Sequence, residues 1–480
     1  MPMRAPLVLL GAALFLALAG CGGGGGSEGG SAATGTESAA TIAPGSALAF
    51  ISINADLDSD EWKEADALTD QFPGREQLLR MITSELSQED LDYAEDIDPA
   101  FGPEVAIVVL GTGDDEAVVL TQPDDDEKLN ALLEKADEPT VTEDIDGWTA
   151  IAGTQARLDA FKQAREAGTL AASKTFTDAV GELPDSALVK VYASGAEVTE
   201  ALEDAGVGAD SLGTGKLISV AAALEAVEDG FKLGGVVKGE GGEGGESFEP
   251  KLLERIPSGA LAVMSFNNLA QAFDQAESTQ MLREFLPQIQ QALGVSLDQL
   301  AAFFSGESTV YVRQGSPIPE ITMLTEVDDE QQALATLDTL ATRAAGLVGG
   351  GQPGSAEVDG VPTKFLQVQG VRITYAVFDG LAVVTSVPTA IRDLRSDDAK
   401  LGDDDAFQRA KEASGLGDST SGFFYGNLAE SIPLIQGFAG LAGEDIPPDV
   451  NANLAPLDTI LFHASKDGDD YRFTGFLGLK

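Results

Sequence analysis

His463 is the only histidine in this chain of 480 residues, and Cys21 is its only cysteine. A Ser-His-Asp or Cys-His nucleophile would therefore have to work through His463. That residue falls within Thr459 to Ala464, an apolar stretch with strand character, where a lone imidazole reads as structural. The same count excludes zinc sites built from cysteines or several histidines. No Ser-x-x-Lys occurs. Gly208 to Lys216 superficially resembles a phosphate loop, but the required first glycine falls on Asp210 and Leu217 replaces the magnesium-binding hydroxyl. Acidic clusters remain: Asp124-Asp125-Asp126, Asp403-Asp404-Asp405 and Asp467-Gly-Asp469-Asp470. Each could offer oxygens to calcium, yet none has the twelve-residue loop spacing, and they read as solvated turns and helix starts. Aromatic residues make up 6% of the chain, and Trp62 and Trp148 lie in different settings, so no sugar-stacking platform is evident. No catalytic residue, metal ligand or cofactor is assigned, and the chain is not expected to be an enzyme. A carboxylate-dependent hydrolase would need acidic side chains that converge in one cleft.

Chemistry is expected at one place, Cys21. Arg4 supplies a positive start, and Ala5 to Ala17 is an apolar stretch broken only by Pro6 and Gly11. That stretch is short of the roughly 20 apolar residues a membrane span needs, and small residues before a cysteine close it. Leu18-Ala19-Gly20-Cys21 resembles the bacterial lipobox, in which the cysteine sulfur is diacylated and the chain is cut just before it. The resemblance implies residues 1–20 as a lipoprotein signal peptide and a lipid on Cys21, palmitate among its chains. Lipidation would remove an otherwise unpaired thiol in an exported protein. Each buried methylene adds about 0.8 kcal/mol, so two acyl chains hold where one is marginal. Gly22 to Gly26 is an unbroken glycine run, followed by Gly, Ser, Ala and Thr to Thr41. Residues 21–41 are therefore expected to be a flexible tether. Ile432 to Leu441 is too short to span and contains Pro433 and Gly437.

The body beyond the tether is strongly acidic, 79 acidic against 29 basic residues, for a net charge of −50. Such a field repels nucleic acid and anionic headgroups, so neither is expected as a direct partner. Solubility is the plain reading of the charge. It is uneven: 42 acidic against 13 basic residues over 42–238, and 31 against 15 over 250–480.

That division follows an internal repeat. Ala43-Pro-Gly-Ser-Ala-Leu-Ala-Phe-Ile-Ser-Ile-Asn54 returns as Ile256-Pro-Ser-Gly-Ala-Leu-Ala-Val-Met-Ser-Phe-Asn267. Helical spacings follow, at Leu78, Leu79, Ile82 and Leu86, then at Met281, Leu282, Phe285, Ile289 and Leu293, with Gly294 as a stop. Phe101-Gly-Pro-Glu104 and Phe304-Ser-Gly-Glu307 each open a hairpin whose second strand ends in Leu-Thr. An acidic turn and an amphipathic helix come next, marked by Leu129, Leu132 and Leu133 and by Leu334, Leu337 and Leu340. Asp146-Gly-Trp148 matches Asp379-Gly-Leu381 as a hairpin turn, and Lys190-Val-Tyr192 matches Phe423-Phe-Tyr425. The last hairpins turn at Glu228 to Phe231 and at Asp467 to Tyr471. Leu347 to Ser355 is a glycine-rich insertion in the second copy.

The expected fold class is α+β: two tandem copies of a mainly antiparallel sheet, with inserted helices packed mainly on one face. The copies are 42–238 and 250–480, joined by a Gly/Glu linker at 239–249. The Pro-led first strand, the Asp98-Pro-Ala-Phe-Gly102 approach and the Asp-Gly turns resemble the domain-of-unknown-function family numbered 3352. That family groups uncharacterised bacterial proteins, often exported. The resemblance covers most of residues 42–480 and implies no site residues.

The function expected is a non-catalytic binding or structural role in the cell envelope, membrane-anchored through Cys21 and facing away from the cytoplasm. The partner is then an unknown protein, a cell-wall component or a lipid. The alternative is a carrier that encloses an apolar ligand such as a lipid.

Overall fold

Runs such as Glu104–Val109 and Ala117–Thr121 are apolar at nearly every position, which suits strands buried on both faces. A computed structural model describes residues 38–480 apart from 89–90, 112, 114–115, 136–138, 205–214, 243–244, 270–289, 291–292, 317, 348–351, 369 and 443–445. The expected signal peptide, Cys21, most of the expected tether, most of the helix expected over Met281 to Leu293 and most of the stretch Gly208 to Lys216 lie outside the described residues.

Among the described residues eight strands form before residue 242: β1 (Ala49–Asn54), β2 (Glu104–Val109), β3 (Ala117–Thr121), β4 (Val141–Ile145), β5 (Trp148–Ala152), β6 (Val189–Ser194), β7 (Gly215–Val227) and β8 (Gly230–Gly241). Ten follow. They are β9 (Ala260–Asn267), β10 (Glu307–Arg313), β11 (Glu320–Glu326), β12 (Gly354–Val358) and β13 (Val361–Val368). The rest are β14 (Val371–Phe378), β15 (Leu381–Thr385), β16 (Gly422–Asn427), β17 (Leu457–Asp467) and β18 (Asp470–Leu479). All belong to one 18-stranded sheet, and every pairing is antiparallel. Across the sheet the order is β4-β5-β3-β2-β1-β6-β7-β8, then β18-β17-β16-β9-β10-β11-β15-β14-β13-β12. Read outward from the centre, each side carries the same succession, except that β12 and β13 add a hairpin after the glycine-rich stretch.

The centre is the β8–β18 ladder, which runs from Gly230↔Gly478 to Tyr471↔Val237. Side chains clamp the same seam. Lys238 pairs with Glu182 and lies 2.8 Å from Asp470, while Arg472 bonds Glu182 at 2.8 Å and Asp467 at 3.0 Å. Gly230 has φ +155, and a Cβ there would collide with the Leu477 carbonyl. Gly230→Ala should therefore lower stability by roughly 2 kcal/mol, read as an earlier urea midpoint; an unchanged midpoint would count against the tightness of this seam.

Three hairpin turns use Asp-Gly pairs with both φ values positive: Asp146-Gly147, Asp359-Gly360 and Asp379-Gly380. Two-residue turns of this kind match the twist of the flanking strands, and an Asp-Gly pair tolerates the left-handed backbone.

Helices pack on both faces, contrary to the one-face expectation. On one face Phe50, Ala106, Val108, Val118, Leu120 and Tyr192 meet Leu158, Phe161 and Phe176 from the helices Gln155–Arg165 and Lys174–Val180. On the other, Val119 and Ile151 meet Leu129 and Leu132 of the helix Asp126–Lys135. The second half repeats this arrangement, with Phe407 of Asp405–Ser414 on one side and Leu337 of Glu330–Leu347 on the other. Uninterrupted apolar runs need cover on both sides, which explains the difference. In the middle of the second face Met264, Phe424 and Phe462 stay exposed in one cross-strand row.

Two boundaries move. Ser38 to Thr41, expected in the tether, are folded: Ala39 is fully buried, and Ser38 caps a 3-10 turn at Ala39–Thr41. The expected linker at 239–249 begins as the end of β8, and its Phe248 bridges to Thr420. Small residues hid both, because Ala and Gly carry little periodic signal yet pack and pair well. No helix among the described residues is long and apolar enough to cross a membrane.

Candidate functional site

Two glutamates to which the sequence assigns no role are, with Glu320, the buried glutamates among the described residues. Glu104 and Glu307 head β2 and β10, where strand alternation turns them toward the core, with exposures of 6% and 3%. Each accepts from the serine on the neighbouring strand: Ser52 Oγ donates to Glu104 at 2.8 Å, and Ser265 Oγ to Glu307 at 3.1 Å. Each also accepts from the backbone of a preceding 3-10 turn. Ala39 N lies 3.4 Å from Glu104, and Leu252 N lies 3.0 Å from Glu307. Burial pushes both carboxyls up, Glu307 to about 7, because these neutral donors do not offset the loss of water.

The two halves then diverge above the glutamates. In the first, Phe176 stands edge-on to Phe50 at 5.6 Å and to Tyr192 at 5.0 Å, which holds the helix Lys174–Val180 over β1 and β6. In the second, Phe407 stands edge-on to Tyr425 at 5.1 Å. Beside that pair, Phe423 packs on Phe407 at 6.3 Å. The matching place on β6 carries Lys190: Lys190 pairs with Ser52 as Phe423 pairs with Ser265.

A cavity of about 320 Å³ opens beside this lysine. Its walls are largely apolar, from Phe50, Phe176, Val180 and Tyr192, with Ser38, Ser52, Thr177 and Lys190 as polar points. Its rim comes from the 3-10 turns Ala39–Thr41 and Leu170–Ala172. Leu170 N bonds Ala43 O at 2.8 Å and Gly45 N bonds Gly168 O at 2.9 Å, so the rim is stitched together by backbone. Lys190 is 4% exposed, and its Nζ has no hydrogen-bond partner among the described residues. Its ion-pair contact, Asp185 Oδ1 at 3.8 Å, is too long for a hydrogen bond. Burial pulls the Lys190 amine down, against the pull of Asp185, Glu104 and Glu225.

Two larger clefts, of about 680 and 480 Å³, share Glu254, Arg255 and Asp379. Their walls are mostly polar and carry charges of both signs, and they open widely to solvent. A ligand pocket is better described by apolar walls with a few convergent polar groups, which favours the cavity beside Lys190.

The residues weighed from sequence lie elsewhere. His463 on β17 is half-buried, with Nε2 3.2 Å from the Ser414 carbonyl at the end of a helix, and burial lowers its basicity. The acidic clusters serve backbone and cations. Asp125 accepts from Glu127 N and Lys128 N, Asp404 from Ala406 N and Phe407 N, and Asp403 from Lys400 N. Asp467 and Asp470 join the central seam. Trp62 is buried under β1, donating to Asn54 O at 2.7 Å, and Trp148 is buried on β5. Groups that could hold a metal were not found among the described residues. A signal for the cavity was present in sequence: the aligned triplets Lys190-Val-Tyr192 and Phe423-Phe-Tyr425 place a lysine where its counterpart is aromatic.

The family described as "Protein of unknown function (DUF3352)" matches residues 150–479. Among solved structures the chain is similar to TP0453 in its crystal form IV, at 9% identity and TM-score 0.25, covering 47% of this chain and 79% of that one. Crystal form III of TP0453 matches at 11% identity and TM-score 0.25, covering 47% and 78%. No curated protein matches the chain.

Proposed function

The chain belongs to the DUF3352 family of proteins of unknown function, and we propose that it is a non-catalytic, lipid-anchored envelope protein whose first half carries a small apolar ligand. The single observation behind the carrier role is the cavity beside Lys190, a half-enclosed apolar space built from two aromatic edges, a helix and two stitched turns. The anchor is the lipid on Cys21, supported by the lipobox-like Leu18-Ala19-Gly20-Cys21 and the glycine run behind it.

The two halves are, in this reading, copies of one unit. The strand succession from the centre, the paired Ser52–Glu104 and Ser265–Glu307 contacts and the Phe176–Tyr192 and Phe407–Tyr425 pairs support it. A duplicated unit can keep its fold with one copy while the other takes a ligand. Here the second copy places Phe423 where the first places Lys190.

Mass spectrometry of protein released gently from membranes tests both parts. The expected spectrum shows an N-terminal diacylated Cys21 and a non-covalent apolar molecule. An unmodified Cys21 would remove the anchor, and a ligand-free protein would remove the carrier role.

A further inference from the structure

We propose that the cavity of the first half binds an uncharged acyl ester or amide of about eight to ten carbons, its carbonyl oxygen accepting a hydrogen bond from Lys190. This rests on the carrier reading and adds the chemical class of the ligand.

The size follows from the space. At about 30 Å³ for each water-sized atom group, 320 Å³ holds on the order of ten non-hydrogen atoms. The apolar part follows from the walls, where Phe50, Phe176 and Val180 offer nothing to a polar chain. The acceptor follows from Lys190. An ammonium is a donor with three protons and no acceptor, and this one is buried without a hydrogen-bond partner among the described residues. Leaving such a group unmade is costly, roughly 1–3 kcal/mol or more, so a site that keeps it has a use for it.

The neutrality follows from the groups that face the amine. Glu104 lies beside Ser52, across the sheet from Lys190; Asp185 is 3.8 Å away; Glu225 comes from β7. Ser52, opposite Lys190 in register, already donates its hydroxyl to Glu104 at 2.8 Å. A carboxylate ligand would enter a site that has one cation and three acidic neighbours, in the more acidic half of the chain. An ester carbonyl takes the same hydrogen bond without adding like charge or shedding an ion's hydration.

The test is titration calorimetry of the full chain with methyl octanoate, octanoate and nonane, at pH 8. Methyl octanoate is expected to bind at least tenfold more tightly than octanoate. Lys190→Met keeps a long apolar stem and removes the donor, so it should weaken the ester at least tenfold while nonane binding is unchanged. Nonane binding also reports that the variant is folded, and the comparison of ester with anion needs no variant at all. Octanoate binding as tightly as its ester, or an ester affinity untouched by Lys190→Met, overturns the ligand class and leaves the carrier reading standing. Failure of all three probes on the unsubstituted protein overturns both.

Discussion

Glu307→Gln should make the protein more stable in alkaline solution, with a gap over the unsubstituted protein that widens by about 2 kcal/mol between pH 5 and pH 8. Glu307 is 3% exposed, and burial raises its carboxyl to about 7. A carboxyl raised in the folded state binds its proton more tightly there than in the unfolded chain, whose value is near 4.5. Its stabilising contribution is therefore fully present below about 4.5 and is lost as pH rises to about 7. At about 1.4 kcal/mol per pH unit of difference, the whole loss is on the order of 3 kcal/mol. Glutamine keeps its one oxygen for Leu252 N and turns its NH2 to Ser265, whose hydroxyl can accept instead of donate, and it cannot ionise. The overall negative charge also changes with pH, but it does so in both proteins, so the difference isolates Glu307. Urea unfolding of the two forms across this range measures it. Parallel pH profiles would show that Glu307 ionises without hindrance, and the buried reading of the Ser265–Glu307 contact would fall with that result.

Lys190→Phe is expected to stabilise the protein by about 1 kcal/mol and to abolish the preference of the cavity for an ester over nonane. The substitution copies what the second half does with Phe423, whose ring packs on Phe407 at 6.3 Å. Two effects add. A ring exceeds the lysine side chain by about 20 Å³ and so fills a small part of the 320 Å³ space, worth about 0.5 kcal/mol at roughly 24 cal/mol for each Å³. It also removes a buried donor without a hydrogen-bond partner. Overpacking against Phe176 opposes them by about 1 kcal/mol. A more stable protein that no longer prefers the ester is the signature of a residue kept for function. Denaturant melts together with titration of methyl octanoate and nonane read both sides. Destabilisation with the ester preference retained would mean that Lys190 holds the fold and lies outside the ligand space.

Parts of this architecture were legible in the chain because they depend on neighbours in sequence. Asp146-Gly147 and Asp379-Gly380 announce hairpins through a backbone that only such pairs adopt readily. Runs such as Thr309 to Arg313 alternate or cluster as strands, and the leucines at 129, 132 and 133 space as a helix. Similar segments, taken in order, pair Glu104 with Glu307 and Lys190 with Phe423 from sequence alone. The meaning of those pairs was not legible. Sequence spacing shows which face of a strand a residue takes, but not whether that face meets a helix, a neighbouring half or water.

What this sequence determined by itself is mostly local: a lipobox-like Cys21, turns, and strand and helix periods, set by residues close along the chain, together with an acidic balance. Tertiary structure decided the rest. Pairing of β8 with β18 joins the halves into one sheet, because two edge strands with free backbone groups satisfy each other. Packing of Phe176 against Phe50 and Tyr192, with a lysine where the other half has a phenylalanine, leaves a cavity, and its volume depends on contacts among segments more than a hundred residues apart.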